Sequence, residues 1–164
     1  MNNLIIPNWH PLFVHFTVAL FSTGVLFSLL SYLFLHFKFI TLMRAQEFEI
    51  TGRWCLWFAA LITILTVAAG FHAYYTVSHD AISHAAMTIH RNWALATASA
   101  ILLVAGLMVW RYRKKKKLTL GCIIGLLLVQ GLLVITAWHG AELVFRYGMG
   151  VMSLPQTEEN KHHP

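Results

Sequence analysis

Charge is what this sequence has least of. Only 11% of its 164 residues are Asp, Glu, Lys or Arg, where a soluble domain carries about 25%. A chain so poor in charge cannot clothe a water-facing surface, and 58% of it is hydrophobic. That composition excludes an ordinary soluble fold and makes lipid the expected solvent. Cysteine is scarce too. Cys55 and Cys122 form no CxxC pair, and no CxxCH segment is present, which excludes covalent c-type haem attachment. Two isolated thiols near the starts of the second and fourth apolar runs suit a reduced packing role better than a disulfide or a catalytic thiol. Acidic groups are few, and only Asp80 and Glu142 lie close to the histidine-bearing ends of the apolar runs.

What is present is long hydrophobic runs. They cover residues 12–37, 54–75, 88–110 and 118–138, and each is long enough for the roughly 20 residues that a spanning helix needs. The sequence therefore predicts an all-α integral membrane protein, a four-helix bundle running up-down-up-down. Residues 1–152 form its one domain, and a polar tail at 153–164 is expected to be disordered. The first run is too long for a cleavable leader, lacks a basic start, and is followed by no small-residue cleavage site. Asp80 or Ser78 is expected to cap the third helix. Residues 44–49 read as a short amphipathic helix on the membrane surface, and Gly148 and Gly150 as breakers after the fourth helix.

The basic residues give an orientation. Lys38, Arg44 and Arg53 follow the first run; Arg111, Arg113 and Lys114 to Lys117 follow the third. These are nine of the twelve Lys and Arg residues. Neither the N-terminal segment nor the second connection before His90 has any. Basic loops stay in the cytoplasm, so a bacterial inner-membrane protein with both termini in the periplasm is expected. The same rule accounts for the basic block without nucleic acid as a partner.

Ten histidines are the chemical signal. Four of them, His72, His79, His84 and His90, fall within residues 70–91. Depth reverses in each successive span, so His15 and His90, early in odd spans, and His72 and His139, late in even spans, all come to the non-cytoplasmic level. His36 is alone at the other. Small residues share faces with these histidines: Ala19, Ser22 and Thr23 with His15; Ala68 and Ala69 with His72; Ala94, Thr97 and Ala98 with His90; Thr136 and Gly131 with His139. Close helix packing explains such stripes on its own; room for a flat ligand is the alternative.

Four neutral imidazoles at one depth point to b-type haem, which histidine alone can hold. His15, His72, His90 and His139 are the expected axial ligands, and Arg91 and Arg146 the expected propionate partners. Glu142 is expected to orient Arg146 or accept an imidazole N–H. One central haem would use a diagonal pair, either His15 with His90 or His72 with His139. Four ligands favour two haems. A cytochrome of this kind would act as an oxidoreductase or electron carrier at the periplasmic face. Its partner would be a quinone, a periplasmic redox protein or a small oxidant such as superoxide. One rival reading is zinc or copper binding or transport, with His10, His79 and His84 as an ion-access site. The other is a cofactor-free structural or assembly subunit. The sequence leaves open whether the chain pairs as a homodimer.

Two motifs carry a resemblance. His10-Pro11-Leu12-Phe13-Val14-His15-Phe16 resembles the HPxxVHFP opening of the domain of unknown function 2231 family. The segment from Gly140 through Glu142, Leu143, Val144, Arg146, Gly148 and Gly150 to Val151 is similar to that family's GGxLVYxxGxGV ending. Thr17, Ala141 and Phe145 depart from the pattern. The resemblance implies a four-span membrane topology and adds no chemistry. Likeness to four-helix b-type membrane cytochromes is one of architecture alone.

Overall fold

A computed structural model describes residues 8–37, 42–77 and 79–151. It contains four helices in order: α1 (His10–Phe37), α2 (Leu42–Thr76), α3 (Ala81–Arg113) and α4 (Leu120–Phe145). There is no strand among the described residues. All four helices are long and apolar enough to cross a membrane, with mean hydropathy of 2.0 to 2.4 over their best windows. Even α4, with 26 residues, is about 39 Å long at 1.5 Å per residue. That exceeds a hydrocarbon core of about 30 Å. The outward faces agree: Leu61, Leu103 and Leu128 are 57%, 74% and 67% exposed, a loss in water and no loss in lipid.

Helices α1 and α3 each pack against both α2 and α4, so α1 faces α3 across a diagonal, as α2 faces α4. The closest approach is between α1 and α2. A Cβ on Gly24 would stand 2.8 Å from the Leu56 side chain, and one on Gly52 would stand 3.0 Å from the Ser28 backbone nitrogen. Glycine lets the two backbones meet there. Phe21, Leu56, Ile101 and Leu126, one from each helix, are fully enclosed in the core beside this crossing.

The helix ends follow local chemistry. Asn8 Oδ1 accepts from the His10 N–H at 3.0 Å at the start of α1, and Pro11 occupies the first turn, where a missing N–H costs nothing. Asp80 caps α3, its carboxylate accepting from the Ser83 N–H at 2.7 Å. That hydrogen bond favours the ionised carboxyl and holds its pKa below the usual value. Ser78, the other expected cap, lies outside the described residues. The basic block ends α3, with Lys115 at φ 51°. Gly148 and Gly150 end α4 with φ of 62° and 77°, a region that costs other residues Cβ strain.

One expectation is corrected. Residues 44–49 form no separate surface helix; they are the first turns of α2, continuous through Arg53. Side-chain packing on α1 explains it. Ser31 Oγ donates to the Ala45 carbonyl at 2.9 Å, and Phe48 packs against Phe27 and Phe34 with centroids 5.4 and 5.6 Å apart. Arg44, Gln46 and Glu47 are exposed while Ala45 and Phe48 face the neighbouring helix. Lys38 and the tail at 153–164 lie outside the described residues.

Candidate functional site

One threonine pair ties α1 to α2 and another ties α3 to α4 near the end opposite the basic block. Thr66 donates its hydroxyl hydrogen to the Ile62 carbonyl at 2.9 Å, so the Thr17 hydroxyl, 2.8 Å away, donates to Thr66. On the other side of the bundle, Thr97 and Thr136 bond hydroxyl to hydroxyl at 2.7 Å. Both pairs are α-helical neighbours meeting inside an apolar bundle, where a hydroxyl without a partner is costly.

Above each threonine pair lies a histidine. His10 Nδ1 donates to the Thr66 carbonyl at 3.0 Å. Its ring lies on Gly70, where a Cβ would come within 3.0 Å of Cε1. His90 repeats the arrangement on Gly140, where a Cβ would come within 3.1 Å of its Cε1. The Thr136 carbonyl is the backbone acceptor acting on His90, the counterpart of Thr66 for His10. The two halves differ in one respect: the buried His90 Nδ1 falls short of a hydrogen bond. The His10 hydrogen bond fixes its proton on Nδ1 and leaves the Nε2 lone pair free, the state a metal ligand requires.

His10 and His90 meet across the α1–α3 diagonal. Their ring centroids are 6.4 Å apart and their planes 73° apart. Both rings border an apolar cavity of about 550 Å³ between the four helices, which His15, Arg91, Ala94, Ala98, Thr97 and Thr136 also line. The Arg91 guanidinium stacks over Tyr74 at 4.9 Å and donates to Asn92 Oδ1 at 3.3 Å, so it is held at the cavity wall.

The other expected ligands are dispersed. His15 lines the same cavity, but its Nδ1 donates to the Pro11 carbonyl at 2.5 Å. His72 is exposed on the outer side of α2 and does not line the cavity. His139 stacks on Trp93, with centroids 6.1 Å apart, and its Nδ1 stands 3.6 Å from Glu142. Glu142 in turn holds Arg146 at 2.6 Å. His139 and Glu142 border a separate cavity of about 490 Å³. The structure thus brings together His10 and His90, with His15 and Arg91 beside them; it does not bring in His72 or His139. His79 and His84 form an exposed pair at 2.8 Å, joined to Tyr74 by His84 at 3.3 Å. His36 stacks on Tyr32 at the basic end. Both cysteines are free thiols. Among the described residues, no group of three or more His, Cys, Asp or Glu side chains is placed to hold a metal ion.

The sequence suggested an ion-access group of His10, His79 and His84; in the structure His79 and His84 pair with each other, and His10 lies against His90. A signal for that placement exists. His10-x6-Thr17 in α1 recurs as His90-x6-Thr97 in α3, and Thr66-x3-Gly70 in α2 recurs as Thr136-x3-Gly140 in α4.

The sequence profile of a family described as predicted membrane protein, DUF2231, matches residues 7–153. No curated protein and no solved structure matches the chain. The matched segment takes in both threonine-linked helix pairs and the histidines they carry, and the chain belongs to the domain of unknown function 2231 family of membrane proteins.

Proposed function

We propose that the protein is a membrane-bound b-type cytochrome that holds one haem between His10 and His90. The observation that carries this reading is the His10–His90 pair itself. Two imidazoles ligating opposite sides of one metal atom at about 2.0 Å place their ring centres roughly 6 Å apart; these two are at 6.4 Å. Each ring rests on a glycine, and the cavity beside them is largely apolar, with Ala94, Ala98 and Ala137 among larger apolar side chains in its wall. Its volume of about 550 Å³ falls in the range of ordinary cofactor sites.

His10 and His90 would be the axial ligands, with Thr66 fixing the His10 tautomer. Arg91 would meet a propionate, because it stands at the cavity wall, whereas Arg146 is engaged by Glu142 at the neighbouring cavity. Bound there, haem would supply a one-electron iron couple. One facing pair supports one haem and not the two that four histidines suggest. Bare zinc or copper fits less well. Such an ion needs more than two protein donors, and the described residues offer no cluster of three. A porphyrin brings its own four nitrogens, so two imidazoles complete it.

With the basic end in the cytoplasm, the haem would sit toward the periplasmic face of a bacterial inner membrane, and both termini would be there. The partner would be a quinone, a periplasmic redox protein or a small oxidant such as superoxide. The test is the optical spectrum of the full chain, expressed with ample haem and purified in detergent. A sharp Soret band, with α and β bands on dithionite reduction, is expected; a colourless protein contradicts the reading.

A further inference from the structure

The opposite end of the bundle holds a second pocket with different chemistry. It has a volume of about 270 Å³ and lies among α1, α2, α3 and the α3–α4 connection. Arg53, Arg111 and Lys115 to Lys117 line it, against one carboxylate, Glu49. Among the described residues, Glu49 makes no ion pair with any of them. Five basic residues line the pocket against a single carboxylate, so it is positive; the Lys116 ammonium itself lies over the Trp110 ring at 4.4 Å.

Its walls are built. The Arg53 guanidinium is stacked 4.1 Å above the Tyr112 ring and 5.5 Å from the Trp57 ring. That stacking fixes the fork and leaves the Arg53 Nε buried without an acceptor. Trp57 Nε1, one turn further along α2, is buried and orphaned in the same way. A buried donor without an acceptor is rare in a folded protein, and Arg53 Nε is one that lines the pocket. The turn after α3 is folded back over the pocket: the Arg111 guanidinium donates to the Lys117 carbonyl, the Lys116 N–H donates to the Arg111 carbonyl at 3.0 Å, and Lys115 takes φ 51°.

We propose that this pocket is a binding site for a phosphate-type anion, supplied by the headgroup of an anionic phospholipid. A guanidinium fork matches phosphate geometry. Basic pockets between spanning helices capture anionic lipid headgroups. Placement names the source. Trp54, Trp110 and Tyr112 are half-exposed at this end, the position that aromatic residues take at the lipid–water boundary. The phosphate fills the pocket, accepts from the orphaned Arg53 Nε and neutralises part of the cluster, while the acyl chains remain in the bilayer. The site lies at the far end of the bundle from His10 and His90 and does not depend on what they bind.

The test uses the full chain in neutral detergent, titrated with short-chain phosphatidylglycerol, phosphatidylcholine or inorganic phosphate, with bound molecules counted by native mass spectrometry. One phosphatidylglycerol is expected to bind at a concentration about fivefold or more below phosphatidylcholine. Arg53→Gln and Lys117→Gln should each weaken it about fivefold. Lys117 is exposed, so its loss leaves the fold intact. Arg146→Gln, at the other end, should change nothing. Binding of inorganic phosphate that displaces the lipid supports the site and assigns its source to free phosphate; no displacement assigns it to lipid. Equal binding of the two lipids without phosphate binding overturns the proposal. So does an unchanged affinity in both pocket variants, or an equal loss in Arg146→Gln.

Discussion

His10 starts α1 and His90 lies in the N-terminal part of α3, yet their rings stand 6.4 Å apart across the bundle diagonal. Each is held from behind by the helix that follows its own. Gly70 and Gly140 give the rings room, and Thr17–Thr66 and Thr97–Thr136 lock the helix pairs beneath them.

The glycines should be intolerant. A methyl group at Gly70 would meet the His10 ring at 3.0 Å, and one at Gly140 the His90 ring at 3.1 Å. Gly70→Ala and Gly140→Ala should each cost about 1–3 kcal/mol through overpacking and lower haem retention. Gly125 and Gly131 have nothing within 4 Å of an added Cβ, so alanine there should be neutral or slightly stabilising. Unfolding in denaturant, read beside the Soret absorbance, separates the two classes.

The threonine bridges should be coupled. Thr97→Val and Thr136→Val each strip one partner from a 2.7 Å hydroxyl pair inside the bundle. The double variant should lose less than the two singles together. A coupling of about 0.6 kcal/mol, and at most about 1.7, is expected for such bonds in a membrane. Strictly additive losses would show that the pair does not interact.

The crossing of α1 and α2 depends on Gly52. A Cβ there would lie 2.9 Å from Ser28 Oγ and 3.0 Å from the Ser28 backbone nitrogen. Gly52→Val must separate the helices and should lower the thermal midpoint more than Gly121→Val, where an added Cβ meets nothing. Thermal unfolding followed by circular dichroism reads the difference.

Asp80 should stabilise the α3 start in a pH-dependent way. Its hydrogen bonds with Ser83 hold the folded pKa below 3.8. A depressed folded pKa means that the contribution is present above the ordinary carboxyl range and is lost as pH falls through the folded value. Asp80→Ala should therefore lower the thermal midpoint at neutral pH, and the gap from the unaltered protein should close as the solution becomes acidic. A gap that stays constant down to strongly acidic pH would show that the carboxylate charge is not what caps the helix.

The fold was legible because length and apolarity alone set it. The charge deficit called for lipid, and four runs near or above 20 residues allowed only a helical bundle. Glu142 and Arg146 pair as their four-residue spacing requires, and Gly148 and Gly150 end α4. The site was legible in depth and not in rotation. Position along a span gives depth, but each residue turns about 100° around the helix. His72 is two residues past Gly70, so it faces about 200° away from the side on which His10 lies. His139 is one residue before Gly140 and is turned about 100° from the His90 contact. Only a marker of the inward face corrects this, and the recurring His-x6-Thr and Thr-x3-Gly spacings are that marker. The length of α2 was hidden for a related reason: the polar residues at 44–49 read as surface, while Ala45 and Phe48 among them pack on α1.

The central claim is that His10 and His90 are one ligand pair and that His72 is no part of it. The direct measurement is the oxidised and dithionite-reduced spectrum of His10→Ala, His90→Ala and His72→Ala, each purified with ample haem. His10→Ala and His90→Ala should each lose the haem or convert it from the low-spin, two-histidine form, and His72→Ala should match the unaltered protein. An unchanged spectrum in either His10→Ala or His90→Ala, or loss of haem in His72→Ala with the fold intact, would contradict the account.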